Sequence, residues 1–354
     1  MSIRQLWLVL CLLALAGVAA AQTGVPYGGY RRHTAEVEQQ FAGRFSGAPA
    51  LIVWKHKFTY KGRTYTYQMV GSDPGVGSKT TRIPVFLVPL DFTFSDHTEL
   101  DATELSQTGA LSAQDGFLQS PLIRSVDFKS GSVDVGTTQF TDAFQRANFW
   151  NVVSAKSPDY HVRLAQPKVL SKLSIDVPSN QGSTATLTNG IVYGTVDAAF
   201  IDATCLSFMQ QHQEIQPNSF VVFLSYNVVI GGGVSFHSSI GAQTYTISMY
   251  SDPGVISGLF GQQFAKVANV AVTSHEIGEW LDDPFGNNVM PDGILEVGDT
   301  LQPNTLDKKV QGNTYTMQEL AFHDWFTCKA PPSTSANGWY SFLGTYKTPD
   351  SHCP

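Results

Sequence analysis

The sequence is short of charged residues, and of glutamate in particular. Only 14% of its 354 residues are charged, and nine of its 29 acidic residues are glutamate. The 22 lysines and arginines leave a net charge of −7, so the basic surface that binds phosphate backbones is missing and we expect no nucleic-acid partner. With 42% hydrophobic residues, the chain can bury a core, which excludes wholesale disorder.

Long apolar runs are also missing after residue 21, so no later stretch could cross a bilayer. The apolar residues 6–15 follow Arg4 and precede Ala19-Ala20-Ala21, which offers small residues at the −3 and −1 positions. This pattern is typical of a secretory signal peptide that is cleaved after Ala21. We therefore predict a signal peptide over residues 1–21 and a secreted or periplasmic mature protein without a membrane span.

Cysteine is scarce, and no Cys-x-x-Cys motif is present, which excludes a structural zinc ribbon. Beyond the predicted signal peptide, Cys205, Cys328 and Cys353 remain, so at most one internal disulfide forms. Cys328 and Cys353 are the candidate pair, because their bond would tie down the C-terminal tail, although spacing alone does not fix the pairing. Cys205 lies in an apolar stretch that is typical of a buried thiol.

Strand patterns dominate the first half of the chain. Residues 51–60 and 63–70 are rich in β-branched and aromatic side chains and flank Lys61-Gly62, which predicts a β-hairpin. Residues 141–153 have the apolar spacing of a helix. The Ser/Thr/Gly-rich residues 179–187 indicate a loop. We predict an α+β protein with a β-rich N-terminal subdomain over residues 22–178, which can still pack with the rest as one domain.

The second half, residues 179–354, has a different character. Residues 198–211 and 264–281 have helical patterns, and the continuous apolar run 220–230 predicts a buried strand. Residues 244–250 alternate polar and apolar side chains, as a half-buried strand does, and could form an edge strand that pairs with an extended peptide. We expect a zincin-like subdomain here, built around the helix that ends near residue 281.

That helix carries the motif His-Glu-Ile-Gly-Glu over residues 275–279. Positions i and i+4 of a helix lie on one face, so His275 and Glu279 can reach one metal ion, with Glu276 beside them. The motif resembles the H-E-x-x-H helix of zinc peptidases, with a glutamate in place of the second histidine. Glu276 is then the candidate general base.

A catalytic zinc needs three protein ligands and an open position, so a third ligand should follow the helix. The segment Glu296-Val297-Gly298-Asp299 supplies two carboxylates. Glu296 is our preferred ligand, and Asp299 the expected acceptor for the ring N–H of His275, although the two roles can be exchanged. The oxygen-rich set suits Zn²⁺ and also harder divalent ions such as Mn²⁺ or Ca²⁺.

Five motifs together resemble the secreted EXORDIUM, or phosphate-induced protein 1, family and related exported bacterial proteins. They are Phe236-His237, the HEIGE helix, the EVGD segment, Tyr315-Thr316-Met317-Gln318, and the FHDWF sequence of residues 322–326. The family shows an H-E-L-A-E helix, a later E-I-G-D and a Phe-His before the helix. The resemblance covers roughly residues 220–330, and the chain departs from the family at Thr300-Leu301, where plant members have Leu-Cys.

The resemblance implies secretion, a zincin-like helix and a place for His237 at the site, but it implies no particular reaction. His237, His323 and Tyr315 are additional candidates for ligand or electrophile roles. On its own, His237 also fits a surface or capping residue, and His323 could simply pack the C-terminal region.

Two functions follow from these residues. The first is an exported zinc metallopeptidase-like hydrolase that acts on a peptide or cell-wall substrate, in which Glu276 takes a proton from water and passes it to the leaving amine. The alternative is an exported binding or signalling protein, associated with the cell wall, whose metal is structural. A closed four-ligand site without a cleft would favour the alternative.

Overall fold

The computed structural model describes residues 28–45, 47–109, 111–291, 293–330, 332, 334–348 and 353. The predicted signal peptide lies outside the described residues. The described chain mixes helices and strands, as the α+β prediction requires. No helix in these ranges has the length and apolar character to span a bilayer.

Eight α-helices occur in the described ranges: α1 Ala35–Gln40, α2 Ala113–Gln119, α3 Phe140–Asn148, α4 Trp150–Lys156, α5 Ala198–Gln211, α6 Val255–Phe260, α7 Ala271–Asp282 and α8 His323–Phe326. The strands of the same ranges are β1 Val53–Tyr60, β2 Arg63–Val70, β3 Thr80–Ile83, β4 Val85–Phe94, β5 Glu99–Asp101, β6 Val126–Ser130, β7 Val133–Thr138, β8 His161–Leu164, β9 Lys168–Val169, β10 Leu173–Val177, β11 Gly182–Thr186, β12 Val192–Val196, β13 Phe220–Tyr226, β14 Val228–Ile230, β15 Phe236–Ile240, β16 Gln243–Tyr250, β17 Val289–Met290, β18 Gly293–Ile294, β19 Thr305–Val310 and β20 Asn313–Gln318.

A seven-stranded sheet forms the centre of the fold, with strand order β10-β4-β13-β16-β15, while β5 and β9 also pair with β4. The strands β10, β4, β13 and β16 run parallel, and β15 pairs with β16 in the antiparallel direction at the end of the order. All residues of β13, β15 and β16 are buried, which is usual where helices and loops cover both faces of a largely parallel sheet.

The central sheet takes strands from both sides of the expected boundary at residues 178 and 179. Strands β4, β5, β9 and β10 come from the first half, and β13, β15 and β16 come from the second. The two halves therefore share a sheet. Residues 179–187, expected to be a loop, contain the strand β11, which pairs with β12.

Local sequence signals account well for two elements. Strands β1 and β2 form the predicted hairpin, and its turn residues Lys61 and Gly62 both have positive φ, as a two-residue turn of this kind requires. Helix α5 has the predicted bounds, because Asp197 caps its N-terminus by accepting hydrogen bonds from the amides of Ala199 and Phe200.

Other elements are shorter than the sequence pattern suggests. Residues 141–153 form two helices that are separated at Phe149, where φ is −111° and ψ is 26°. The strand expected over residues 220–230 breaks at Asn227, which has positive φ. The helix expected from residue 264 begins at Ala271, because Asn269 has a positive φ that a continuous helix cannot contain.

The expectation of a half-buried edge strand over residues 244–250 was wrong. Strand β16 lies between β13 and β15, and all eight of its residues are buried. Two of its hydroxyl groups donate hydrogen bonds inside the protein, from Thr246 to the carbonyl of Phe236 and from Ser248 to Oγ1 of Thr273. Alternation of hydroxyl and apolar side chains therefore does not indicate a solvent-exposed face here, because a buried hydroxyl group can donate its hydrogen bond to a neighbouring protein group.

Helix α7 packs against β15, β16 and β20, and every one of its residues is buried. Trp280 stacks on Phe220 of β13 with 3.9 Å between ring centroids. Burying charged side chains without partners is costly, so the acidic residues of this helix need compensation. Near the C-terminus, Cys328 and Cys353 form a disulfide, and Cys205 is a free buried thiol.

Candidate metal centre

Helix α7 brings His275 and Glu279 to one face. Nε2 of His275 lies 3.1 Å from Oε2 of Glu279, and both side chains are fully buried. Glu276 also turns inward, since its Oε1 atom is 3.9 Å from the same Nε2 atom. The i, i+4 spacing therefore produces the convergence that the sequence predicted.

Asp299 joins this pair from the segment that follows the helix. Its Oδ1 atom is 3.6 Å from Nε2 of His275, and His275, Glu279 and Asp299 form a group whose ligand atoms all lie within 4.8 Å of one another. Donors about 2.0–2.1 Å from a tetrahedral zinc ion lie about 3.3–3.4 Å apart. The separations of 3.1 and 3.6 Å suit such an ion.

Glu296, our preferred third ligand, occupies a different position. Its Oε1 atom accepts a hydrogen bond of 3.2 Å from the backbone N–H of Tyr30, and its Oε2 atom is buried without a hydrogen-bond partner among the described residues. Glu296 is not part of the group formed by His275, Glu279 and Asp299. The geometry therefore favours Asp299 as the third ligand, with Glu296 beside Glu279.

His237 of β15 approaches the helix from the sheet. Its Nδ1 atom is 3.3 Å from Oε2 of Glu276 and 3.6 Å from Oε2 of Glu279, and its Nε2 atom is 3.3 Å from the carbonyl oxygen of Asp283. A carbonyl can only accept, so a proton on Nε2 leaves the Nδ1 lone pair directed at the carboxylates. His237, Glu276 and Glu279 form a second group of candidate ligands, whose ligand atoms lie within 4.8 Å of one another. The hydroxyl of Ser235 donates to Oε1 of Glu276 and fixes its carboxylate.

Gln318 of β20 orients the ring of His275. Its Oε1 atom is 3.0 Å from Nδ1 of His275, and its Nε2 atom donates to the carbonyl of Gly298. The acceptor that we expected to be Asp299 is thus Gln318, because Asp299 lies on the Nε2 side of the ring. An acceptor at the second ring nitrogen is the usual support of a metal-binding histidine.

Gly298 explains the glycine in the EVGD segment. A Cβ atom at this position would lie 2.2 Å from Nδ1 of His275, so only glycine lets the backbone pass the imidazole. The N–H of Gly298 also donates to Oε1 of Glu279 at 3.2 Å. One residue therefore contacts both members of the helix pair through its backbone.

The four carboxyl groups of the centre are destabilised as anions. Burial raises the pKa of Glu276 to about 8, and burial raises the pKa values of Glu279, Glu296 and Asp299 above their ordinary range. No ion pair among the described residues brings a lysine or arginine to these groups. Buried carboxylates without a lysine or arginine partner need protons, a charged histidine or a metal ion.

His323 and Tyr315 lie apart from the cluster. The ring of His323 packs against Tyr67 with 4.3 Å between centroids, and burial lowers its pKa to about 4. Tyr315 sits three residues before Gln318 on β20, so it points to the opposite face of the strand. Neither residue joins the groups of candidate metal ligands found among the described residues.

Four further residues of the centre were missed from the sequence: Tyr30, Ser235, Gly298 and Gln318. Gly298 and Gln318 stand within the motifs that carry the family resemblance, so those motifs held a usable signal. Tyr30 is 266 residues from Glu296, and nothing in its local sequence indicates the contact.

Comparisons with protein-family models, curated proteins and solved structures find no match to this chain.

Proposed function

We propose that the protein is an exported metal-dependent hydrolase with a metallopeptidase-like site. The observation that carries the proposal is the convergence of His275, Glu279 and Asp299, with Glu276 and His237 adjacent, where no ion pair among the described residues involves a lysine or arginine. Such a set neutralises a divalent cation and satisfies the carboxylates that burial otherwise penalises.

The proposed ligands are Nε2 of His275, Oε2 of Glu279 and Oδ1 of Asp299, and Zn²⁺ is the ion that best suits their spacing. When bound, such an ion acts as a Lewis acid toward a carbonyl group and lowers the pKa of water. The resulting mixture of one imidazole and two carboxylates also leaves Mn²⁺ and Ca²⁺ as candidates.

Glu276 is the proposed general base. The Ser235 hydroxyl donates to its Oε1 atom, and its Oε2 atom faces Nδ1 of His237. These contacts hold the carboxylate next to the proposed ligands, where it can take a proton from water and deliver it to a leaving amine. The side chain of Asp299 is 29% exposed, which gives solvent and substrate a direction of approach.

A peptide is the favoured substrate class, because β15 ends the central sheet directly beside the cluster. An outer strand edge offers backbone donors and acceptors to an extended chain. Strand β15 thus replaces residues 244–250 in the role of the substrate-pairing edge. A metal-site helix beneath an antiparallel edge strand also supports the zincin-like description of the second half.

The runner-up is an exported binding or signalling protein with a structural metal, associated with the cell wall. One observation favours it: Nδ1 of His237 is 3.6 Å from Oε2 of Glu279. With Glu276, these two residues form a second, fully buried group of candidate ligands, and enclosure by protein is typical of a structural metal.

The test compares peptide cleavage by the zinc-loaded wild type, Glu276→Gln and the matched control Glu104→Gln, which alters an exposed glutamate. If Glu276 is the base, its variant keeps the metal and loses about 10²–10⁴-fold in cleavage rate, while the control is unaffected. Equal rates in all three proteins contradict the catalytic role. Metal binding without cleavage by any of them favours the structural alternative.

A further inference from the structure

Residues 28–33, which we call the strap, lie along the outer edge of β15. The N–H of Gly28 donates to the carbonyl of Ser235 at 3.1 Å, and the N–H of Arg31 donates to the carbonyl of His237 at 3.0 Å. Arg31 forms a parallel bridge with Ser238. The strap therefore occupies the hydrogen-bonding groups that β15 would offer to an added extended chain.

The strap also crosses the candidate metal centre. A Cβ atom on Gly29 would lie 3.3 Å from Cδ of Glu296 and 3.6 Å from Oδ2 of Asp299, so the backbone passes directly over both carboxylates. The ring of Tyr30 packs edge-on against His237 with 5.4 Å between centroids. The strap thus lies over part of the centre, while the Asp299 side chain stays 29% exposed.

Tyr30 fits a defined slot. On one side is His237, and on the other is Gly286, where a Cβ atom would lie 2.1 Å from the tyrosine ring. The Tyr30 hydroxyl is hydrogen-bonded to Oγ of Ser239 at 2.6 Å. Gly29 faces Glu296 and Asp299, and the slot takes the aromatic side chain of the residue that follows it.

The remaining anchors are polar. Nε of Arg31 pairs with Asp202 at 3.1 Å, and Nη2 of Arg32 donates to the carbonyl of Gly286 at 2.6 Å. His33 is hydrogen-bonded to Tyr245 at 2.9 Å. Each of the residues 28–33 keeps some exposure, although the side chain of His33 is only 3% exposed, and opening one short segment costs less than global unfolding.

We propose that the strap is an intramolecular competitor for the substrate-binding edge of β15. The site takes an extended polypeptide with a small residue over Glu296 and Asp299 and an aromatic residue in the slot between His237 and Gly286. The strap must leave before such a peptide binds, so transient opening of the strap sets a low basal activity in the folded protein. This inference rests on the proposed function in one respect, namely that the peptide-binding edge of β15 belongs to the metal centre.

The test uses two full-length variants that loosen the strap in different ways. Tyr30→Ala removes the aromatic anchor, and Arg31→Ala removes the ion pair with Asp202 while leaving β15 and the slot intact. Arg82→Ala is the matched control, because Arg82 is exposed and lies on β3. Circular dichroism checks that all the variants are folded.

The first measurement is binding of a labelled, blocked peptide with the sequence of residues 27–34, followed by fluorescence anisotropy. We expect at least tenfold tighter binding to Tyr30→Ala and Arg31→Ala than to the wild type and Arg82→Ala. Amide hydrogen exchange at positions 28 and 31 should also be at least tenfold faster in the loosened variants. Peptide binding that is equal in all four proteins overturns the inference.

The second measurement is cleavage of a peptide library by the zinc-loaded proteins. Cleavage that rises at least tenfold in the loosened variants, and is lost when Glu276→Gln is added, supports both the strap and the catalytic site. Tighter peptide binding without cleavage leaves the strap in place and overturns the hydrolase proposal. Cleavage at the same rate by wild type and loosened variants overturns the strap alone.

Discussion

Nε2 of His275 and Oε2 of Glu279 lie 3.1 Å apart on consecutive turns of α7, in a fully buried environment. Asp299 completes a group of three ligand atoms with them. Two residues position this group. The side chain of Gln318 accepts a hydrogen bond from the ring of His275, and the backbone of Gly298 contacts both His275 and Glu279. Substituting either of these two supporting residues should therefore weaken metal binding.

Substituting Gly298→Ala should both destabilise the protein and weaken metal binding. The added methyl group would lie 2.2 Å from Nδ1 of His275, and overpacking of this kind costs about 1–3 kcal/mol. Urea unfolding and zinc titration measure the two effects. Thr300→Ala in the same segment is the control, and equal zinc affinities in the two variants would refute the role given to Gly298.

Gln318→Leu should lower zinc affinity about 10–100-fold, because it removes the acceptor for the ring N–H of His275. The side chain keeps a similar size, so the fold should persist. Competition with a chelator gives the affinity, and Thr314→Ala, at an exposed position on the same strand, serves as the control. An unchanged affinity for Gln318→Leu would mean that the ring does not depend on this contact.

Asp282 should make stability depend on pH. Burial raises the pKa of its carboxyl group to about 8, whereas an unfolded aspartate has a pKa near about 3.9. Between these values the folded protein holds a proton that the unfolded chain releases. The stabilisation is therefore complete below the unfolded pKa and is lost as pH rises through the folded pKa.

Asp282→Asn cannot ionise and should lack this component. The free energy of unfolding of Asp282→Asn minus that of wild type should increase from pH 5 to pH 8 by up to about 1.4 kcal/mol per pH unit. Urea unfolding across this range is the measurement, and Asp176→Asn, at an exposed position, is the control. If the curves of wild type and Asp282→Asn stay parallel, the carboxyl group does not titrate in this window.

Removing the disulfide between Cys328 and Cys353 should lower the free energy of unfolding by about 3 kcal/mol. The two cysteines are 25 residues apart, and the loss of loop-closure restraint in the unfolded chain has about this size. Cys328→Ser, Cys353→Ser and the double variant should be equally destabilised when measured by urea unfolding. Destabilisation of the double variant well beyond either single variant would show that the thiols contribute separately.

The sequence was most informative where the determining contacts are local. The hairpin turn at Lys61-Gly62, the capped helix α5 and the i, i+4 relation of His275 and Glu279 all depend on residues within a few positions of one another. Such features follow from turn chemistry, capping and helical periodicity.

The remainder depended on contacts between distant segments. Asp299 faces Nε2 of His275 rather than Nδ1 because Gln318, in a later hairpin, already occupies Nδ1. Strand β16 is internal because β15 folds back beside it. Tyr30 reaches Glu296 across 266 positions. No local pattern encodes these relationships, since they arise only when the sheet is assembled.

The most direct test of the account is the zinc content of the purified protein, measured by elemental analysis after incubation with zinc and removal of unbound ions. We predict about one ion per wild-type chain with nitrogen and oxygen ligands at about 2.0–2.1 Å by X-ray absorption. His275→Ala and Asp299→Asn should lose more than about 100-fold in affinity, while His323→Ala keeps the ion. A wild type that retains no metal, or ligand variants that bind it as tightly as wild type, would contradict the proposed centre.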